Sequence, residues 1–355
     1  MINKLKYFKK KIKIGKSLVG DYQKTFIIAE ISANHSQSLN KALKLLHEAK
    51  KAGADAVKLQ TYKPKSLSVK NLDDLKNDKT WKKFKSRYEL YKKAYLPWKF
   101  HDPLFKLAKK LKIEIFSSPF DLESLRYLDK FKPVAYKVAS PEINDFPLIE
   151  QIAKKNKPVI ASLGCADEND IKNLISIMKK YNNNKLIILK CIADYPTNPS
   201  FLNLKTINYL KKKHKCLVGL SDHTLGIGSP VASILLGGCM IEKHIKLHND
   251  KKSVDSFFSM DNLDFKKMSL AIRDAEASIG KISLNLGPNH NKHLNSKRSI
   301  YAIKNIDIGE KFTNKNIQSV RPGDGAHPKF LKSLIGKIVK KKIKLGTPIK
   351  LNFLK

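Results

Sequence analysis

Two stretches of the chain end in the same way. Leu217 to Leu220 is an apolar run that breaks abruptly into Ser221-Asp222-His223-Thr224, with Gly226 close behind. About twenty residues on, Cys239-Met240-Ile241 runs into Glu242-Lys243-His244. A buried parallel strand that delivers polar side chains at its carboxyl end has this form. Histidines at the same end of two adjacent strands could hold one divalent metal from two sides, as a Lewis acid requires. Taken alone, each histidine could equally cap its strand by bonding a loop carbonyl.

Other short apolar runs end in chemistry-bearing residues too. Collected with the first two, they place Glu30, Asn34, His35, Lys58, Gln60, Ser118, Lys137, Ser140, Ser162, Tyr195, Ser221, Asp222, His223, Glu242, Lys243 and His244 at strand ends. Lysine charge with several hydroxyls suits a phosphate group, and a pair of histidines suits a divalent metal. Each serine alone is an ordinary strand-end hydrogen-bonding residue; their convergence is what points to a site.

Such convergence needs a repeating scaffold. Residues 26–31 read as a first fully buried strand ending in the polar turn Ser32-Ala33-Asn34-His35. Ser38 opens a helical pattern of Leu39, Ala42, Leu43, Leu46 and Ala49, closed by Gly53. Further strands are expected at 54–60, 113–118, 134–140, 158–162 and 186–191, and the two histidine strands make eight. Helices are expected over 103–111, 122–128, about 147–155 and 263–279. Strands alternating with helices over roughly 260 residues are the sequence form of an α/β fold of the (β/α)8 TIM barrel type, with its active site at the carboxyl ends of the strands. An open doubly wound sheet shares the alternation, but no GxGxxG follows the first strand. Thr61 to Phe100 breaks the rhythm as a lysine- and aromatic-rich loop containing Trp81, Tyr88, Tyr91, Tyr95 and Trp98. A loop of that length is expected to cover a site.

The barrel would occupy residues 1–282. Residues 283–296, rich in Asn, His, Gly and Pro, read as a linker, and 297–355 as a separate small unit with strand-and-turn alternation. A unit that small buries little surface and is expected to dock on something. Arg321, in Arg321-Pro322-Gly323-Asp324-Gly325-Ala326-His327-Pro328, could reach an anionic ligand or serve packing.

The formal net charge of +39 over 355 residues suggests nucleic acid or an anionic membrane at first sight. Only Arg87, Arg126, Arg273, Arg298 and Arg321 are arginine, however, and the lysines are spread along the chain. Phosphate and base recognition favours arginine's bidentate fork, so compositional bias explains the charge better than a nucleic-acid surface. The longest nearly uncharged run, residues 230–241, is too short to span a bilayer, and the lysine-rich residues 1–16 lack the apolar core of a signal peptide. Cys165, Cys191, Cys216 and Cys239 form no CxxC and sit at strand edges as small apolar residues, which fits a reduced, cytoplasmic protein. Two other readings remain at this level: a Schiff-base aldolase using Lys58 or Lys137, and a lysine-rich binding protein on a barrel scaffold.

Over nearly its whole length the chain resembles the sialic acid (nonulosonic acid) synthases. The resemblance rests on Ile28-Ala29-Glu30-Ile31 with Asn34-His35, Val57-Lys58-Leu59-Gln60-Thr61, Phe116-Ser117-Ser118-Pro119-Phe120, Tyr136-Lys137-Val138-Ala139-Ser140, Gly219-Leu220-Ser221-Asp222-His223-Thr224 and Ile241-Glu242-Lys243-His244. The last unit resembles the family's antifreeze-like (SAF) β-clip domain, with Val320-Arg321-Pro322-Gly323 in place. Gln60-Thr61-Tyr62, residues 90–98 and Val254-Asp255-Ser256-Phe257-Phe258-Ser259 resemble the pseudaminic acid branch more than the N-acetylneuraminate branch.

The resemblance implies an enzyme that condenses phosphoenolpyruvate with 2,4-diacetamido-2,4,6-trideoxy-L-altrose and water to give pseudaminic acid and phosphate. N-acetylneuraminate or legionaminate synthesis by the same mechanism is the alternative. It implies His223 and His244 as ligands of Mn2+ or Mg2+, and Lys58, Ser118, Lys137, Ser140, Ser162 and Ser221 as holders of phosphoenolpyruvate. Glu30 would stand near C2, Gln60, Tyr195 and Asp255 by the substrates, and Arg321 against the sugar's N-acetyl group from the partner subunit of a domain-swapped homodimer. Two departures stand out: Ala193 replaces an asparagine of the sialic acid enzymes, and Ser162-Leu163-Gly164-Cys165 replaces Ser-Thr-Gly-Met.

Overall fold

A computed structural model describes residues 7–354 apart from 71, 76, 77, 285 and 286. The first six residues of the basic lead-in and two positions of the expected linker lie outside the described residues. The chain divides into two compact units, Met1–Gly280 and Lys281–Lys355.

The first unit begins with an antiparallel hairpin, β1 (Lys11–Ile14) and β2 (Ser17–Gly20). Eight parallel strands follow: β3 (Phe26–Glu30), β4 (Ala56–Thr61), β5 (Glu114–Pro119), β6 (Tyr136–Val138), β7 (Val159–Ser162), β8 (Leu186–Lys190), β9 (Leu217–Asp222) and β10 (Met240–Lys246). Each pairs with the next, and β10 also pairs with β3, so the sheet closes into the expected barrel and the open-sheet alternative is excluded.

Side-chain alternation sorts every strand into two surfaces. Phe26, Ile28, Ala56, Phe116, Ile160, Ile187, Leu189, Leu217 and Met240 fill the barrel interior as one buried cluster. Ile27, Ala29, Val57, Ile115, Val138, Ala161, Ile188, Val218 and Ile241 face the helical ring in another. The expected helices form at Leu39–Lys51, His101–Leu111, Leu122–Asp129, Phe146–Lys154 and Asn262–Ile279. The Ser38 side chain caps the first by accepting from Lys41 N, as its position before the apolar periodicity predicts.

Several elements were not anticipated. Helices Glu168–Lys180, Thr206–His214 and Gly228–Leu235 complete the ring. The basic lead-in is no lead-in: Lys11-Ile12-Lys13-Ile14 alternates exposed lysine with buried isoleucine, and Ile12, Ile14 and Val19 join the interior cluster. The 61–100 loop contains helices Pro64–Leu67 and Arg87–Ala94. Part of the expected linker is helical, His290–Asn295. Among the described residues no helix is long and apolar enough to cross a membrane.

The second unit pairs β11 (Ser299–Ala302) antiparallel to β12 (Ile317–Val320). Ile300, Phe312, Ile317, Val339, Ile343 and Ile349 form its own buried core.

Candidate active site

The interior stays apolar up to the last turn of each strand, where parity delivers polar groups to a cavity of about 910 Å3. Lys58 (β4) and Lys137 (β6) enter from one side, Ser221 and Glu242 from β9 and β10 on the other. Glu242 Oε1 lies 3.8 Å from Lys58 Nζ and 3.7 Å from Lys137 Nζ, and accepts from Ser221 Oγ at 3.0 Å. One carboxylate is therefore the shared counter-ion of two lysines at distances too long for direct hydrogen bonds. Lys137 Nζ instead donates to Ser162 Oγ at 2.7 Å, and Lys58 is paired with Glu30 and donates to Ser118 Oγ at 3.4 Å.

Burial sets the proton affinities here, and the ion pairs oppose it. Burial alone would lower the pKa of Lys58, but Glu242 and Glu30 outweigh it and hold the pKa above the ordinary lysine value. For Lys137 burial wins and the pKa falls. Burial would raise Glu242, yet Lys137 and Lys58 pull it below the usual carboxylate range. The cluster is thus a cationic cradle held together by an internal anion, the arrangement an incoming phosphate or carboxylate can enter.

Beside the cradle stand His223 and His244, ring centroids 5.3 Å apart. His223 Nδ1 donates to the Ile192 carbonyl oxygen at 2.8 Å, and His244 Nδ1 hydrogen-bonds with Ser32 Oγ at 3.0 Å. Neither Nε2 has a hydrogen-bond partner among the described residues. At His223 the backbone carbonyl on Nδ1 favours the neutral tautomer whose Nε2 carries the lone pair, which is how metal-binding histidines are oriented. Burial first, and the neighbouring His223 ring next, hold His244 well below its ordinary pKa, neutral as ligation requires. Among the described residues no group of three or more His, Cys, Asp or Glu side chains converges on a metal position. The donor set fits a cation held by two imidazoles with its remaining positions open to substrate and water.

The NeuB family profile matches residues 45–283, and that of the SAF domain residues 297–355. The chain belongs to the NeuB family. Pseudaminic acid synthase of Campylobacter jejuni is 45% identical over 330 residues, spanning 92% of this chain and 96% of its relative. Pseudaminic acid synthase of Helicobacter pylori is 40% identical over 326 residues, spanning 91% and 96%. The crystal structure of N-acetylneuraminic acid synthetase from Leptospira borgpetersenii, with citrate, superposes with a TM-score of 0.71 at 29% identity, covering 80% of this chain and 94% of that one. This NeuB-family chain is an enzyme of the phosphoenolpyruvate-dependent nonulosonate synthase class.

Not every expected residue of the NeuB-family site reaches the cavity. Lys58, Gln60, Lys137, Ser140, Ser162, Tyr195, Ser221, His223, His244 and Asp255 line it. Glu30 and Ser118 sit directly behind Lys58, fully buried. Ser140 also binds the backbone, accepting from Gly164 N at 3.0 Å. Asp222 and Lys243, counted with the strand ends, have the wrong parity and face outward as a buried pair 2.5 Å apart, with Lys243 Nζ also donating to the Thr224 carbonyl. Asn34 and His35 are structural: the Asn34 amide donates to Ile245 O at 2.9 Å and Ser259 Oγ at 2.8 Å, and His35 Nδ1 accepts from Gln37 N. That turn holds the 253–259 segment, and Asp255 Oδ2 accepts from Ala33 N at 3.0 Å. Arg321 is exposed in the second unit. Cys165 is exposed rather than buried at a strand edge, and all four cysteines are free.

Among the cavity residues that went unread is a glutamate. Glu142, in the 3₁₀ turn Ser140–Asn144, lines the cavity, and its Oε2 is buried with no hydrogen-bond partner among the described residues. Burial pushes its carboxyl up to about 7. Its only signal in the sequence is its place two residues after Ser140.

Proposed function

We propose that this NeuB-family enzyme is a pseudaminic acid synthase, joining phosphoenolpyruvate to 2,4-diacetamido-2,4,6-trideoxy-L-altrose and water with release of phosphate. The observation that carries the reading is the adjacency of a two-lysine anion cradle to a pair of histidines with free Nε2 atoms in one cavity. The 40–45% identity to pseudaminic acid synthases favours this sugar. The cradle of Lys58, Lys137, Ser140, Ser162 and Ser221, backed by Ser118, holds phosphoenolpyruvate, with Gln60 at its edge. A divalent cation, Mn2+ or Mg2+, held by His223 and His244 would polarise the sugar aldehyde toward attack.

The chain's own groups account for the rest. C3 of phosphoenolpyruvate forms a bond to the aldehyde carbon, whose oxygen takes a proton and becomes a hydroxyl. The positive charge left at C2 faces the carboxylates behind the cradle, Glu30 foremost. Water adds at C2 as Glu142, which can exchange a proton near neutral pH, accepts its proton. The tetrahedral phosphate then collapses: C2=O forms as the C2–O bond to phosphate breaks, the C2 hydroxyl proton leaves with the departing phosphate, and the lysines stabilise that phosphate. Asp255 and Tyr195 hold the sugar. Fixing both reactants in one cavity lowers the entropic part of the barrier. The reading also makes the protein a cytoplasmic homodimer, with Arg321 supplied by the domain-swapped partner.

The test is phosphate release from phosphoenolpyruvate with Mn2+ and each of three sugars: the altrose derivative, its legionaminic counterpart and N-acetylmannosamine. Release with the altrose derivative, abolished by chelator and by His223→Ala, is expected. Release with another sugar alone would move the chain to that branch, and no release with any would refute the proposal.

A further inference from the structure

The chain has two tryptophans, both in the 61–100 segment over the barrel mouth, and they are used differently. Trp98 is spent on structure: its ring stacks on Tyr127 at 4.3 Å, and its indole N–H donates to the Tyr62 carbonyl at 3.2 Å. Trp81 has neither kind of anchor. Its ring meets Phe257 edge-on at 5.4 Å and Tyr195 at 6.5 Å, and its indole N–H has no hydrogen-bond partner among the described residues.

The backbone beneath Trp81 is nevertheless well organised. Asp78 Oδ1 accepts from Thr80 N at 2.8 Å and from Trp81 N at 2.9 Å, and Phe84 N donates to the Trp81 carbonyl at 2.8 Å. An Asx turn of this kind fixes the direction of the residue that follows it. The turn thus presents Trp81 to the cavity, against the loops that carry Tyr195 and Phe257.

The cavity has two chemistries. Its floor at the strand ends is ionic, built from Lys58, Lys137 and Glu242; its rim around Trp81 is aromatic, with Tyr195 and the exposed Phe257 against that ring. Phosphoenolpyruvate and the aldehyde end of the sugar belong on the floor. What projects to the rim must tolerate aromatic faces and offer an acceptor to a free indole N–H. A 6-deoxy sugar with a second acetamido group does both, through two methyl groups and an amide carbonyl; a sugar with a free hydroxymethyl end does so less well.

We propose that Trp81, seated against Phe257 and Tyr195, is a specificity-determining residue that receives the far end of the acceptor sugar, its methyl and second acetamido group. This rests on the proposed function and adds to it the part of the site that reads the sugar. The competing explanation is that Trp81 only packs the cover.

The experiment is steady-state kinetics of Trp81→Ala, Trp81→Phe and Phe257→Ala, with the thermal midpoint of each, together with intrinsic-fluorescence titration of wild type and Trp81→Phe by the sugar in chelator. Trp81→Ala is expected to raise the sugar KM on the order of tenfold, the scale of one such contact, and to leave the phosphoenolpyruvate KM within about threefold. Phe257→Ala follows with a smaller rise. The sugar is expected to change wild-type fluorescence, and Trp81→Phe to abolish that change, because the remaining Trp98 is remote from the sugar. If Trp81→Ala does not fold, Trp81→Phe and Phe257→Ala decide alone. An unchanged sugar KM in active variants, or both KM values rising together, overturns the assignment while leaving the proposed function standing. A wild-type protein that neither releases phosphate nor responds to the sugar overturns both.

Discussion

At the scale of residues, the site is a balance of buried charges. Two lysines share Glu242 in the cavity wall, with Glu30 behind Lys58, and the pKa of each lysine moves up or down according to how far Glu242 and Glu30 offset burial. Glu142 stands outside that balance, with burial lifting its carboxyl from 4.5 to about 7. Because its folded pKa is the higher one, the folded chain retains a proton that the unfolded chain gives up between those values. Its contribution to stability is therefore full below about 4.5 and is lost as pH rises to about 7. Glu142→Gln removes this penalty, so thermal unfolding at pH 8 should show the variant more stable than wild type by up to about 3 kcal/mol, with the gap closed at pH 4.5. The same change should lower kcat by about 10²–10⁴-fold and remove the rise of wild-type rate through pH 7, if Glu142 takes the proton of water. A pH–rate profile unchanged by the substitution would refute that role.

At the scale of elements, strand parity decides which residues can take part. Neighbours in sequence are sorted to opposite sides, as in Glu242-Lys243-His244, where the outer two enter the cavity and Lys243 pairs with Asp222 against the helices. The hairpin β1–β2 closes the opposite end of the barrel by inserting Ile12, Ile14 and Val19 into the interior cluster. Gly15 makes its turn at φ +55°, and a Cβ there would overlap the Glu114 carboxylate, which accepts from Lys16 N at 2.9 Å. Ile12→Ala should cost about 2–5 kcal/mol in denaturant unfolding, as for a well-packed core position. A negligible cost would show the hairpin to be peripheral. The alternation of lysine and isoleucine before a Gly-Lys turn was legible in the sequence, but uniform lysine content masked it. Helix Glu168–Lys180 was legible too, through the Asp167–Asp170 capping box and buried Ile171, Leu174, Ile177 and Met178.

At the scale of the whole molecule, the chain is a barrel unit and a small unit with its own core. The proposed homodimer, with Arg321 serving the partner's site, makes a sharp prediction. Arg321→Ala and His223→Ala proteins, each inactive alone, should regain up to about a quarter of wild-type activity when unfolded together and refolded as mixed dimers, because one site in a mixed dimer has both residues. Absence of any regain, with mixed dimers verified by mass, would show that Arg321 acts within its own subunit or not at all. The net charge of +39 has no such architectural consequence: its lysines are mostly exposed, and surface pairs such as Lys267–Asp264 carry little energy.

By itself the sequence determined the eight barrel strands, the closed α/β architecture, the family and the two histidines, because these rest on local periodicity and on motifs that a strand end must expose. The choice among adjacent polar residues was made by tertiary structure alone. Pleat parity turned Asp222 and Lys243 outward, Lys58 drew Glu30 and Ser118 behind it, and burial set the carboxyl of Glu142 near neutrality. Each of these depends on which groups lie within a few ångströms across strands far apart in the chain, and on how much water is excluded there, neither of which is a property of local sequence.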